Sequence, residues 1–137
     1  MRKDPTPPRS TDPAAYSVLI VDDEPTTLTV VAAALRDAKF TVYEAVDGEQ
    51  GLAISKDKHP DLILLDLQMP KMDGITMLKE LRKDAWGQDA FVMLLTHLTG
   101  LDRVAEALSL GAFDYLQKAD WDLPKIVAQV KLRLRVE

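Results

Sequence analysis

Five times along this chain a short apolar run of strand character is followed by a segment whose apolar residues recur at helical spacing, and few folds accept that alternation. The runs are 18–21, 41–45, 62–65, 91–95 and 114–117. Strands joined through helices run parallel, and a parallel sheet carries helices on both faces. The chain is therefore expected to be α/β, a doubly wound five-stranded parallel sheet with a helix after each strand.

The helical segments can be placed from their apolar stripes. The first begins at Pro25 and lines up Leu28, Val31, Ala32 and Leu35. The second, 48–58, is interrupted by Gly48 and Gly51 and has the weakest stripe. The third, 75–83, offers Ile75, Leu78 and Leu81, with Gly74 in the turn before it. The fourth offers Leu101, Val104, Ala105 and Leu108 ahead of Gly111, and the fifth offers Leu123, Ile126, Val127, Val130 and Leu134, with Pro124 at its start.

With 137 residues the chain fits one domain able to bury a core. Its composition, 47% apolar and 28% charged, is that of an ordinary globular protein. No apolar stretch approaches the ~18 residues a membrane span needs, and no apolar segment follows Met1-Arg2-Lys3-Asp4-Pro5 as a secretory signal would require. Cysteine is absent, so there is no disulfide framework. These features fit a cytoplasmic protein. The net charge of -5 argues against direct binding to a nucleic acid backbone. Residues 1–15, with Pro5, Pro7, Pro8 and Pro13 among polar and charged neighbours, read as a disordered tail, and 16–137 as the folded domain.

Two of the apolar runs end in acids. Val18-Leu19-Ile20-Val21 passes into Asp22-Asp23-Glu24-Pro25, and Leu62-Ile63-Leu64-Leu65 into Asp66. A doubly wound sheet binds ligands beyond the carboxyl ends of its strands, where strand order reverses, and Asp22, Asp23, Asp66, Thr96 and Lys118 all fall at such ends. Acids gathered at one point repel each other unless a hard cation or a basic side chain neutralises them. A divalent metal is the natural occupant.

Each of these residues also has a plainer reading. Asp22 and Asp23 serve equally as a solvated acidic turn favouring a helix N-terminus, and Glu24 is first a helix-start residue. On spacing alone Thr96 is a β-branched strand residue, Lys118 a surface lysine and Tyr115 a half-buried strand tyrosine. His59 and His97 read as surface bystanders.

The segments Val21-Asp22-Asp23-Glu24-Pro25 and Leu65-Asp66-Leu67-Gln68-Met69-Pro70-Lys71-Met72-Asp73-Gly74, with Thr96 and Tyr115-Leu116-Gln117-Lys118, resemble the CheY-like receiver domains of bacterial response regulators. The resemblance runs from about Ser17 to Leu134. It implies a flavodoxin-like strand order 2-1-3-4-5, and Asp66 as an acceptor whose oxygen attacks phosphorus to give an acyl phosphate. It further implies Mg²⁺ held by Asp23, Asp66 and the backbone carbonyl of Gln68, with Asp22 acting through water. Thr96 would donate its hydroxyl to the phosphoryl group, Lys118 would offset its charge, and Tyr115 would move with Thr96 as a switch. The implied donor is a sensor histidine kinase or phosphotransfer protein, and the implied output is a changed surface for a downstream effector or output domain. A homodimer is left open.

The chain departs from the family pattern at His97, where a small residue is usual, and at Ala119, where proline usually follows the lysine. Gln68 and Leu98 occupy positions that tune phosphoryl lifetime in the family. Two other functions compete at this point. A haloacid-dehalogenase-like phosphatase also uses an aspartyl nucleophile and Mg²⁺ but needs a second acid where Gln68 stands. A receiver that is never phosphorylated would serve as a docking module.

Overall fold

The computed structural model describes residues 12–67, 69, 72–96, 101–112, 114–117 and 122–136, with backbone alone at Thr96, Leu101, Asp114, Leu116 and Gln117. Strands β1 (Ser17–Val21), β2 (Thr41–Ala45), β3 (Leu62–Asp66), β4 (Val92–Thr96) and β5 (Asp114–Gln117) alternate with helices α1 (Pro25–Asp37), α2 (Gly48–Lys58), α3 (Gly74–Lys83), α4 (Leu101–Ser109) and α5 (Leu123–Leu134). All paired strands are parallel. Their order is β2-β1-β3-β4-β5, the flavodoxin-like order that the resemblance implies.

Side chains on successive strand residues point to opposite faces, and here each face has its own core. Val18, Ile20, Leu62, Leu64, Met93 and Leu95 pack with Leu28, Val31 and Leu35 of α1 and Ile126 and Val130 of α5. Leu19, Val21, Ile63, Leu65, Val92 and Leu94 pack with Ile75, Leu78 and Leu81 of α3 and Val104 and Ala107 of α4. Truncating one of the fully buried leucines to alanine costs about 2–5 kcal/mol, so this two-sided burial dominates stability.

Helix α2 forms despite its weak stripe because its glycines are contact points. A Cβ on Gly51 would lie 2.9 Å from Met77 Sδ and 2.9 Å from Val21 Cγ2, so the missing side chain lets the helix lie close against β1 and α3. Asp47 caps it by accepting from the Gln50 N–H at 2.9 Å.

Several expectations need correction. Helix α3 starts at Gly74 itself, because Asp73 accepts from the Thr76 N–H at 2.8 Å and so sets the cap one residue earlier. Strand β3 extends to Asp66, and β4 runs from Val92 to Thr96 although the Phe91 carbonyl still accepts from Ile63. On α4 the buried residues are Val104 and Ala107, whereas Ala105 is exposed and Leu108 is 40% exposed. Val104 and Ala107 seat the helix on the second core, and that leaves Arg103 and Glu106 facing Asp73 and Lys79 on the α3 side. On α5, Ile126, Val130 and Leu134 are buried while Leu123 and Val127 lie half-buried at the margin.

Ahead of β1, Pro13–Ala15 form a 3-10 turn capped by Asp12, and Tyr16 is buried. Residues 1–11 of the expected tail lie outside the described residues. No described helix is long and apolar enough to cross a membrane.

Candidate functional site

Two acids arrive at one level of the sheet because their strands are in register. Val21 pairs with Leu65, so one step further along the neighbouring strands Asp22 and Asp66 stand side by side. The chain leaves β1 toward β2 on one side and returns across it to β3 on the other, which makes this the reversal point of the strand order. Asp22 and Asp66 are 0% and 3% exposed, and Asp23 is exposed beside them. Carboxylate oxygens of the three lie within 4.8 Å of one another.

The backbone holds this arrangement locally. The Asp22 N–H donates to the Ala45 carbonyl at 3.1 Å, and Asp22 Oδ1 accepts from the Glu24 N–H at 2.9 Å, which bends the chain from β1 into α1. Pro25 supplies the fixed φ of the first helical turn. Glu24 is the N-cap residue, but its side chain makes no capping bond and stands outside the acidic cluster. Three carboxylates, two of them buried, form an oxygen-only donor set, and that chemistry fits a hard divalent cation.

Beyond Asp66 the chain folds back tightly. The Gly74 N–H donates to the Leu67 carbonyl at 3.1 Å, and the Gly48 N–H donates to the Met72 carbonyl at 3.0 Å. Arg103 reaches in from α4 and places Nη2 2.8 Å from Asp73 Oδ2 and 3.5 Å from the Leu67 carbonyl. Burial alone would raise the pKa of the Asp73 carboxyl, but hydrogen bonds from Thr76 and Arg103 and the guanidinium charge outweigh it and hold the group below its usual value.

Thr96 ends β4, one residue after Leu95, the register partner of Asp66, so its backbone lies at the same edge of the sheet. Tyr115 pairs with Leu94 and lies half-buried against the second core. Gln68, His97, Leu98, Lys118 and Ala119 lie outside the described residues, as does the side chain of Thr96. His59 is exposed at the end of α2 and stacks on Trp86 with ring centroids 4.6 Å apart, at the opposite end of β3 from Asp66. The pairing of Asp73 with Arg103 was not foreseen. Asp73 ahead of Gly74 could have been read as a helix cap, but nothing in the sequence links it to a residue thirty positions on.

Residues 18–131 match the family described as "Response regulator receiver domain". Among curated relatives, the DNA-binding dual master transcriptional regulator RpaA of Synechocystis is 39% identical over 118 residues, covering 86% of this chain and 48% of that protein. The regulatory protein AtoC of Escherichia coli is 37% identical over 123 residues, 89% of this chain and 26% of that protein. The chain thus spans about half or less of these relatives. Among solved structures, the chemotaxis protein CheY4 of Vibrio cholerae superposes with a TM-score of 0.78 at 27% identity, covering 85% of this chain and 97% of that one. A putative response regulator from Chloroflexus aurantiacus gives 0.79 at 29% identity, with coverages of 88% and 98%.

The chain belongs to the response regulator receiver domain family. It is a signalling phosphoacceptor domain of two-component systems, with an acidic pocket formed by Asp22, Asp23 and Asp66.

Proposed function

We propose that Asp66 is the residue that takes the phosphoryl group. The observation that carries this reading is the clustering of the buried Asp66 with Asp22 and Asp23 at the reversal point of the sheet. An Asp66 oxygen attacks phosphorus of a phosphohistidine in line, the P–N bond breaks, and the donor imidazole leaves with its electron pair. Asp23, Asp66 and the carbonyl of Gln68 would hold Mg²⁺, with Asp22 acting through water. When bound, that ion offsets the repulsion among the acids and the charge on the phosphoryl oxygens.

The remaining roles follow from the family pattern. The Thr96 hydroxyl and the Lys118 ammonium contact the phosphoryl oxygens, and Tyr115 follows Thr96. The half-buried state of Tyr115, on the strand paired with β4, supports the last assignment. The donor is a sensor histidine kinase or phosphotransfer protein, which makes the cytoplasm the place of action. The receiver unit is 16–137, with 1–15 as a tail, and the downstream effector reads the changed surface. Against a docking module stands the complete acidic triad.

The test is intact mass after incubation with Mg²⁺ and acetyl phosphate. A gain of one phosphoryl group that needs the metal and disappears in Asp66→Asn supports the reading. A gain that persists in Asp66→Asn refutes it.

A further inference from the structure

Among the described residues, Arg103 of α4 hydrogen-bonds to the β3–α3 loop. Arg103 Nη2 lies 2.8 Å from Asp73 Oδ2 and 3.5 Å from the carbonyl of Leu67, the residue directly after Asp66. The two ends of that loop are already tied, since Gly74 donates to the same Leu67 carbonyl at 3.1 Å and Asp73 caps α3 through Thr76. Arg103 therefore spans the closure of the loop that carries the backbone away from the acidic pocket.

A second, more exposed pair joins the same two helices. Lys79 and Glu106 pair at 3.1 Å between α3 and α4, so the α3 side presents Asp73 and then Lys79 to Arg103 and then Glu106. Sliding α4 by one turn toward the loop would bring Glu106 up to Asp73, like charge against like. The contacts thus favour one register. Half-exposed pairs of this kind contribute little to global stability, so their consequence is positional. One nitrogen, Nη2, reaches both the carboxylate and the carbonyl, so a single cationic donor ties Asp73 to Leu67.

We infer that Arg103 is a positioning residue for the acidic site, holding Leu67 and Asp73 so that metal binding by Asp22, Asp23 and Asp66 depends on where α4 lies. The inference rests on the metal-site reading given above. Linkage makes the dependence reciprocal: occupation of the site tightens the hold on α4, and displacement of α4 weakens the site.

The test uses the full chain and the variants Arg103→Gln, Arg103→Lys, Asp73→Asn, the Arg103→Gln/Asp73→Asn double variant, and Lys79→Ala as a control on the same helix pair. Asn is itself a good N-cap, so Asp73→Asn keeps α3 capped while removing the charge. Mg²⁺ affinity is measured by calorimetry, and amide exchange across α4 is followed with and without Mg²⁺. Arg103→Gln and Asp73→Asn should each weaken Mg²⁺ binding by about five- to tenfold, the lower range of coupling between distinct sites. The double variant should be no worse than either single one, Arg103→Lys should recover part of the loss, and Lys79→Ala should bind within about twofold of the unsubstituted chain. Mg²⁺ should slow α4 exchange in the unsubstituted chain and not in Arg103→Gln. Folded Arg103→Gln and Asp73→Asn proteins with unchanged affinity would overturn the inference, as would a loss in Lys79→Ala as large as theirs. If the unsubstituted chain takes up no Mg²⁺, the metal-site reading falls and the inference falls with it.

Discussion

Gly74 lies against the backbone carbonyl of Asp66 so closely that a Cβ at position 74 would overlap it, with Leu67 Cα only 2.7 Å away. Both neighbours are backbone and cannot swing aside. Gly74→Ala should therefore destabilise the fold by about 1–3 kcal/mol, although alanine is the better helix former. Urea denaturation should show a lower midpoint with an unchanged slope.

Gly48 makes a similar test with a sharper sign. Propensity alone predicts that Gly48→Ala stabilises α2 by about 1 kcal/mol. A Cβ there meets the Met72 carbonyl and, at 2.9 Å, Met72 Cβ, so the prediction is a net loss of about 1 kcal/mol or more. Thermal unfolding decides which effect wins.

Arg82 knits three segments together through backbone carbonyls. Its Nε donates to Leu110 at 2.7 Å, and Nη1 donates to Gly87 at 2.8 Å and to Ala90 at 2.9 Å. Arg82→Met should cost about 3 kcal/mol, because charged donors are lost and carbonyls are left poorly paired. Arg82→Lys should recover little, since an ammonium cannot reproduce the fork. Chemical denaturation of the two variants provides the comparison.

Asp73 gives a pH dependence whose sign can be worked out. Its carboxyl is held below the ordinary value of 3.8, because the hydrogen bonds from Thr76 and Arg103 outweigh the opposing effect of burial. A group depressed in the folded state stabilises above its unfolded pKa, and that contribution is lost as pH falls through the folded pKa. The side chain is 34% exposed and water screens its partners, so the contribution is about 0.5 kcal/mol. Asp73→Asn should thus be less stable than the unsubstituted chain at neutral pH, and the difference should be smaller at about pH 3. Urea midpoints at the two pH values test this.

The strands and most helix stripes were legible because burial on both faces writes itself as apolar runs and helical periods, as at Leu62–Asp66 and at Leu28, Val31 and Leu35. On α4 Val104 was read correctly, but Ala107 is buried where Ala105 and Leu108 were expected, because an alanine gives hydrophobic periodicity little to weigh. The acidic triad was legible from strand-end acids, but the strand order that brings β1 beside β3 came from family resemblance, since no local signal carries long-range pairing. Gly48 and Gly51 looked like helix breakers because the sequence does not reveal what lies across from a missing Cβ.

The most direct test of the account is to locate the phosphoryl group. Borohydride reduces an aspartyl acyl phosphate to homoserine, so chain treated with acetyl phosphate and Mg²⁺ should, after reduction and peptide mass mapping, carry homoserine at position 66 alone. Homoserine at position 22 or 23, or a phosphorylated chain that yields none, would contradict the assignment of Asp66.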